Sequence, residues 1–172
     1  MSNKSIKITK WIFFALMIVI NLFIIYQSCL PDVSSKSWSD AVVDMIKVIT
    51  HGDIDSGTPI TPNLSWGKLI RKLIGHFSLF GLDGVITYLY FYFLNIDRPF
   101  KYKFYISIIP SVIGILLAVI TECLQLIIPG RYGDIVDILI DIAGYLLGLG
   151  ITYLITYLIY RHNNKKILIN HN

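Results

Sequence analysis

Two long apolar runs meet in the stretch TECLQLIIPGRYGDIVDILIDIAGYLLG, residues 121–148, and polar side chains are concentrated there. These side chains are Glu122, Gln125, Arg131, Asp134, Asp137 and Asp141. An ionised side chain near the centre of a bilayer costs about 2.5–3.5 kcal/mol on insertion scales, so acids in such a stretch indicate a function. One face of a helix would hold the three aspartates together with Gly144 and Gly148. The stacked carboxylates repel one another, so the fold must supply cations or protons.

The composition indicates an integral membrane protein. Only 15% of the 172 residues are charged, whereas soluble domains carry about 25%, and 55% are hydrophobic. Several apolar runs reach the roughly 20 residues that a helix needs to cross a bilayer. These runs are continuous and do not alternate, which favours helices over a membrane β-barrel.

The predicted fold class is therefore an all-α membrane protein, a four-transmembrane-helix bundle forming a single domain over residues 1–172. The spans are predicted at about 11–30, 66–94, 104–128 and 134–160. The first run is too long for a signal peptide and lacks a good cleavage site, so it is predicted to be a retained span. Pro110 is expected to bend the third span early. In the loop of about 31–65, apolar residues recur at helical spacing over 38–49, which predicts a short interfacial helix. A helix capping the bundle is the alternative.

The distribution of basic residues predicts the orientation. Nine of them occur in the N-terminal tail, in the link at 95–103 and in the C-terminal tail: Lys4, Lys7, Lys10, Arg98, Lys101, Lys103, Arg161, Lys165 and Lys166. The positive-inside bias then places both termini in the cytoplasm, in a multi-pass protein of the cell membrane. Scattered basic residues of this kind do not form a nucleic-acid-binding stripe, so no nucleic-acid partner is expected. Cys29 and Cys123 are interpreted as unpaired thiols rather than a disulfide.

In this topology the polar side chains gather at the outer ends of the spans. They are Ser28, Lys72, His76, Glu122, Gln125, Arg131, Asp134 and Asp137. At 1.5 Å per residue, Asp141 would lie about 10 Å deeper than Asp134, and Asp83 about 16 Å deeper than Lys72. We therefore predict one polar cavity that opens outward, with Asp83 and Asp141 at its floor.

Each of these residues also has a structural interpretation. Asp134 alone would be a helix cap, and Gly144-x-x-x-Gly148 is more often a packing motif than a site. A lone His76 would most often be a packed, hydrogen-bonded side chain. Asp83 and Asp141 could pair with Lys72 or Arg131 and hold the bundle together. The convergence of the whole set favours a function.

The assembled motifs resemble the VanZ-like family of bacterial membrane proteins. The resemblance is carried by Lys72-x-x-x-His76, Glu122-x-x-Gln125, Pro129-Gly130-Arg131-x-x-Asp134-x-x-Asp137 and the Gly144/Gly148 face, with Ser28 after the first span. Asp141 departs from the pattern, since the family usually has Asn there. The resemblance implies a cell-envelope role in Gram-positive bacteria, in which some members lower susceptibility to teicoplanin-type antibiotics.

Two functional hypotheses follow. In the first, the protein binds a membrane lipid, a lipid-linked cell-wall component or the antibiotic at the outward-facing site. In the second, it is a membrane-embedded acid/base enzyme, a hydrolase or transferase, with Glu122 or Asp137 as general base and His76 as its partner. Transport is a weaker third possibility, because no paired broken helices are evident. No cofactor and no metal are expected, since no H-E-x-x-H or comparable ligand spacing occurs.

Overall fold

The computed structural model describes residues 3–31, 72–131 and 133–170, with the side chains of all of these except 72–74 and 165–170. Five α-helices occur in these ranges: α1 (Asn3–Ser28), α2 (Ser78–Leu94), α3 (Phe100–Ile106), α4 (Ile108–Gln125) and α5 (Ile135–Asn170). A π-helical segment, Lys72–Phe77, leads into α2. No β-strand occurs in the described ranges. The predicted interfacial helix lies outside them.

Four helical stretches are long and apolar enough to cross a membrane, which confirms the predicted fold class. They are Asn3–Ser28, Gly75–Leu94, Phe100–Gln125 and Ile135–Asn164. Within a bilayer the backbone can find hydrogen-bond partners only within a helix or a closed barrel, so these apolar runs become helices. The outward faces carry exposed Val19, Leu116 and Leu154, as expected for surfaces in contact with lipid. The first helix begins well before residue 11, because the lysine-rich tail continues it.

The second and fourth spans pack backbone against backbone through glycines. A Cβ atom on Gly148 would collide with the carbonyl oxygen of Gly81, and one on Gly84 would collide with that of Tyr145. Association of helices in lipid depends on close packing of small residues, since the surrounding lipid is as apolar as the side chains. The packing role of Gly148 predicted from its spacing is thus confirmed.

The third span is interrupted near its start, as Pro110 predicts. The break falls at Ser107, between α3 and α4. Pro110 has no N–H to donate to the preceding turn, and its ring crowds the carbonyl four residues earlier. The carbonyl oxygen of Pro110 accepts a hydrogen bond of 2.8 Å from the buried Tyr145 hydroxyl, which ties the interrupted span to the fourth.

Lys103 is buried at the end of the bundle that holds the chain termini. Its Nζ donates to the carbonyl oxygen of Asn95 at 2.9 Å and lies 4.1 Å from the centroid of the Tyr92 ring. This side chain is 5% exposed, whereas its neighbour Lys101 is exposed. Lys103 therefore fastens the link between the second and third spans.

We expect Lys103→Met to lower the free energy of unfolding by about 2 kcal/mol, because it removes a charged hydrogen bond and a cation–π contact. Thermal unfolding in detergent would measure the loss. Lys101→Met is the matched control: it removes only an exposed cation–π contact with Tyr102, at 5.2 Å, which is worth about 0.5–1 kcal/mol, so it should change the melting temperature less than Lys103→Met. Equal melting temperatures for the two variants would contradict the fastening role.

Candidate functional site

Three spans bring His76, Glu122 and Asp141 together at one end of the bundle, and we call these residues the acid–histidine centre. The Nδ1 atom of His76 lies 3.2 Å from Oδ1 of Asp141. One nitrogen or oxygen atom from each of the three residues lies within 4.8 Å of the other two. Glu122 and Asp141 are 3% and 1% exposed, whereas the His76 side chain is 32% exposed. The centre is thus buried on its acidic side and accessible at the imidazole.

Glu122 is fixed at both oxygens. Its Oε1 accepts a hydrogen bond of 2.9 Å from the Gln125 amide, one helical turn later in α4. Its Oε2 accepts one of 3.0 Å from the backbone N–H of Asp134, just before α5. The side chain of Asp134 in turn accepts from the backbone N–H of Val136 at 2.9 Å. Asp134 is therefore the helix cap that its position predicts, and its backbone orients Glu122.

The position of His76 depends on a glycine in the facing helix. His76 lies in the π-helical segment, and π-helical turns frequently occur at functional sites. A Cβ atom on Gly144 would collide with the carbonyl oxygen of the next residue, Phe77. Because Gly144 has no side chain, the two backbones approach closely enough for His76 to reach Asp141, three residues before Gly144.

Arg131 joins the first span to the turn between the third and fourth. Arg131 N–H donates to the Ile128 carbonyl at 3.2 Å, and Gly130 between them has a φ of 81°, a conformation that favours glycine. Arg131 Nη1 then donates to the carbonyl oxygens of Ser28 at 3.1 Å and of Gln27 at 3.3 Å. These carbonyls lie in the last turn of α1, where the helix itself supplies no donor, and that of Gln27 also accepts from the Leu30 N–H at 3.3 Å. Arg131 thus binds the end of α1, whereas the sequence suggested that it could pair with Asp83 or Asp141.

The remaining predicted residues have different positions relative to the centre. Asp137 is half-buried and close enough to interact electrostatically with both Glu122 and Asp141. Ser28 is buried and donates to the carbonyl oxygen of Ile24 at 3.0 Å, so its hydroxyl belongs to the end of α1. Lys72 precedes His76 by about one turn, and its side chain lies outside the described residues. Cys29 and Cys123 are both free and exposed.

Asp83 forms a second polar contact, between the first and second spans. Its Oδ1 accepts hydrogen bonds of 3.0 Å from Asn21 and 3.1 Å from Thr87, and the side chain is fully buried. Its Oδ2 has no hydrogen-bond partner among the described residues. Neither neutral partner was predicted. The signal for Asn21 is that its amide lies in the middle of the apolar first span, and Thr87 follows Asp83 by one turn.

The arrangement has three chemical capabilities. A histidine hydrogen-bonded to a carboxylate is the pairing that orients and activates an imidazole for proton transfer. The half-buried Asp137 can receive an amine. The three ligating atoms are also close enough to surround one cation.

Comparison with models of protein families shows which family the chain belongs to. A family model described as VanZ/LLP1 matches residues 11–156, which include most of each of the four spans and every residue of the acid–histidine centre. The chain belongs to the VanZ/LLP1 family. Its four apolar helices make this VanZ-family chain a multi-pass membrane protein. Neither the curated proteins nor the solved structures contained a match.

Proposed function

We propose that this VanZ-family protein binds an anionic, lipid-linked component of the cell envelope at a polar site on the outer face of the cell membrane. By engaging that component, or the antibiotic itself, it lowers susceptibility to teicoplanin-type glycopeptides. The observation that carries the proposal is the convergence of His76, Glu122 and Asp141 from three separate spans. Ionisable groups within apolar helices are energetically costly. A purely structural role would need only one of these residues, so the presence of all three favours a binding function.

The orientation follows from the basic residues. Exposed Lys4, Lys7, Arg98, Lys101 and Arg161 lie at the end of the bundle that holds the termini, opposite the acid–histidine centre. The positive-inside rule assigns that basic end to the cytoplasm. The centre then faces the outer leaflet, where lipid-linked precursors of the cell wall are exposed.

Arg131 is the residue best suited to contact an anionic headgroup. The guanidinium carries five donors, and the described contacts with Gln27 and Ser28 use one of its nitrogens. Anchoring at these carbonyls fixes the side chain at the end of α1, at the same end of the bundle as the centre, and a fixed guanidinium matches phosphate geometry well. Lys72, one turn before His76, is the second proposed contact. Glu122 and Asp137 orient these cations or bind an amine of the ligand.

We expect Arg131→Ala to weaken binding of an undecaprenyl-linked precursor by about 10–100-fold, the equivalent of one charged hydrogen bond. Microscale thermophoresis of the full chain in lipid nanodiscs would measure it. Arg98→Ala is the matched control, since Arg98 is exposed at the opposite end. Melting temperatures of both variants would show whether the loss of the helix-end contact unfolds the bundle. Unchanged affinity in a folded Arg131→Ala protein would refute the proposed contact.

The pairing of His76 with Asp141 favours a second candidate, a membrane-embedded acid/base hydrolase or transferase acting on the same class of substrate. Glu122 or Asp137 would be the general base and His76 the acid or base partner. Reconstituted protein that releases product from a lipid-linked substrate would support this candidate. If Glu122→Gln and Asp137→Asn each retained full turnover, neither residue could be the general base, and the enzyme hypothesis would be refuted.

A further inference from the structure

We infer that the acid–histidine centre binds one divalent transition-metal ion, through His76 Nδ1 and one carboxylate oxygen from each of Glu122 and Asp141. The inference concerns the site of the proposed function and rests on that function for the role of the ion. Binding of the ion itself depends only on the three side chains.

The distances fit a single ion. Zinc is held at about 2.0–2.2 Å by imidazole nitrogen and carboxylate oxygen, so the ligand atoms of its tetrahedral site are separated by about 3.4 Å. The observed separation of His76 Nδ1 and Asp141 Oδ1 is 3.2 Å, and all three ligating atoms lie within 4.8 Å of one another. Closing the wider separations to about 3.4 Å requires side-chain movement on the order of 1 Å, and the His76 side chain, which is 32% exposed, has room to move.

The charge of the centre also calls for a cation. Glu122 and Asp141 are almost completely buried, and the half-buried Asp137 adds negative potential to both. The described hydrogen bonds of Arg131 are donated to backbone carbonyls at the end of α1, so none of them neutralises a carboxylate of the centre. A divalent ion at the centre would neutralise two carboxylates in a single step, which one proton cannot do.

The ligand set selects the kind of ion. Imidazole nitrogen favours zinc and its transition-metal neighbours over magnesium and calcium, which prefer oxygen alone. Three protein ligands leave a fourth position open, as in zinc sites that bind a substrate or water. At the outer leaflet that position would accept a phosphate oxygen of the lipid-linked headgroup.

The surroundings of the ligands resemble those of established metal sites. Ligating carboxylates are usually held by further hydrogen bonds, and both oxygens of Glu122 have such bonds, from Gln125 and from the Asp134 backbone. Because the ligands come from three separate helical segments, no local sequence motif predicts them. The expectation of no metal from the sequence rested on the absence of that motif.

Zinc titration of the full chain tests the inference. The protein would be purified in detergent without a polyhistidine tag, stripped with EDTA and titrated with Zn²⁺ by calorimetry. We expect about one zinc per chain, and at least about 100-fold weaker binding for His76→Ala and Asp141→Asn, because even outer-shell partners of a metal ligand are worth 10–100-fold. His162→Ala and Asp97→Asn alter exposed residues at the opposite end and should bind zinc as the unmodified chain does.

A ligand exchange separates metal binding from folding. His76→Cys keeps a metal-binding atom at the position, so its Co²⁺ complex should gain a thiolate charge-transfer band that the unmodified chain lacks. Failure of the unmodified chain to take up zinc, or equal uptake by folded His76→Ala, would overturn the site.

A lipid-binding measurement with and without zinc completes the test. Precursor binding that EDTA abolishes and zinc restores supports the bridging role. Precursor binding that is indifferent to zinc overturns the bridging role and leaves the proposed function standing. Zinc binding with no precursor binding leaves the metal site standing and refutes the proposed function.

Discussion

Gly148→Ala is expected to destabilise the bundle by about 3 kcal/mol or more, enough to prevent recovery of a folded protein at moderate temperature. The added methyl would enter the space occupied by the Gly81 carbonyl in the facing span. Overpacking of a core costs about 1–3 kcal/mol when side chains can shift. Here the obstacle is backbone in a helix, so relief requires the second and fourth spans to separate.

Gly150→Ala is the matched control, because a Cβ atom there would have no neighbour within 4 Å. Alanine is a better helix former than glycine by about 0.8–1.0 kcal/mol, so the control should be neutral or slightly stabilising. Thermal unfolding and size-exclusion profiles of both variants in detergent would provide the comparison. Equal melting temperatures for Gly148→Ala and Gly150→Ala would contradict the close approach of the two backbones.

Glu122→Gln is expected to abolish function while the chain stays folded. Glutamine keeps an oxygen to accept the Asp134 N–H bond, so the connection between the third and fourth spans can survive. Its NH2 group can donate to the Gln125 carbonyl oxygen once that amide turns over. The negative charge is lost, and with it one ligand of the acid–histidine centre. We expect the proposed precursor affinity to fall at least tenfold, about 1.4 kcal/mol or more, and the proposed protection against teicoplanin to disappear in cells.

Two further variants serve as controls for Glu122→Gln. Cys123→Ser changes the adjacent, exposed residue and should retain full protection. Glu122→Ala removes the hydrogen bonds as well as the charge, so it should lower the melting temperature too, by the cost of leaving buried donors unpaired. Teicoplanin protection that survives in a Glu122→Gln strain would show that the charge of Glu122 is unnecessary.

The fold could be predicted largely because lipid leaves few choices. Apolar runs of sufficient length, with Pro110 and the Pro129-Gly130 turn between them, indicate four helices and one interruption. The Gly144 and Gly148 spacing predicted a packing face, but it did not identify the partner. Gly81 and Gly84 became recognisable as that partner only when the second and fourth spans were seen in contact.

The site could be predicted in outline and not in its contacts. Antiparallel spans place residues at matching depths, so the gathering of His76 and Glu122 at one end follows from topology. Which side chains meet depends on helix rotation, which the weak amphipathicity of these spans leaves undetermined. Arg131 therefore proved to contact the end of the first span, and Asp83 proved to contact Asn21 and Thr87.

The hydrogen bond between Asn21 and Asp83 has a consequence for biosynthesis. Asp83 is the most deeply placed acid of the second span, and an isolated aspartate at a helix centre raises the cost of membrane integration by about 2.5–3.5 kcal/mol. The ribosome releases Asn21 62 residues earlier, so the first helix already offers an amide when Asp83 leaves the translocon. Because Asn21 precedes Asp83 in the chain, we expect its amide to lower that cost as the second span integrates.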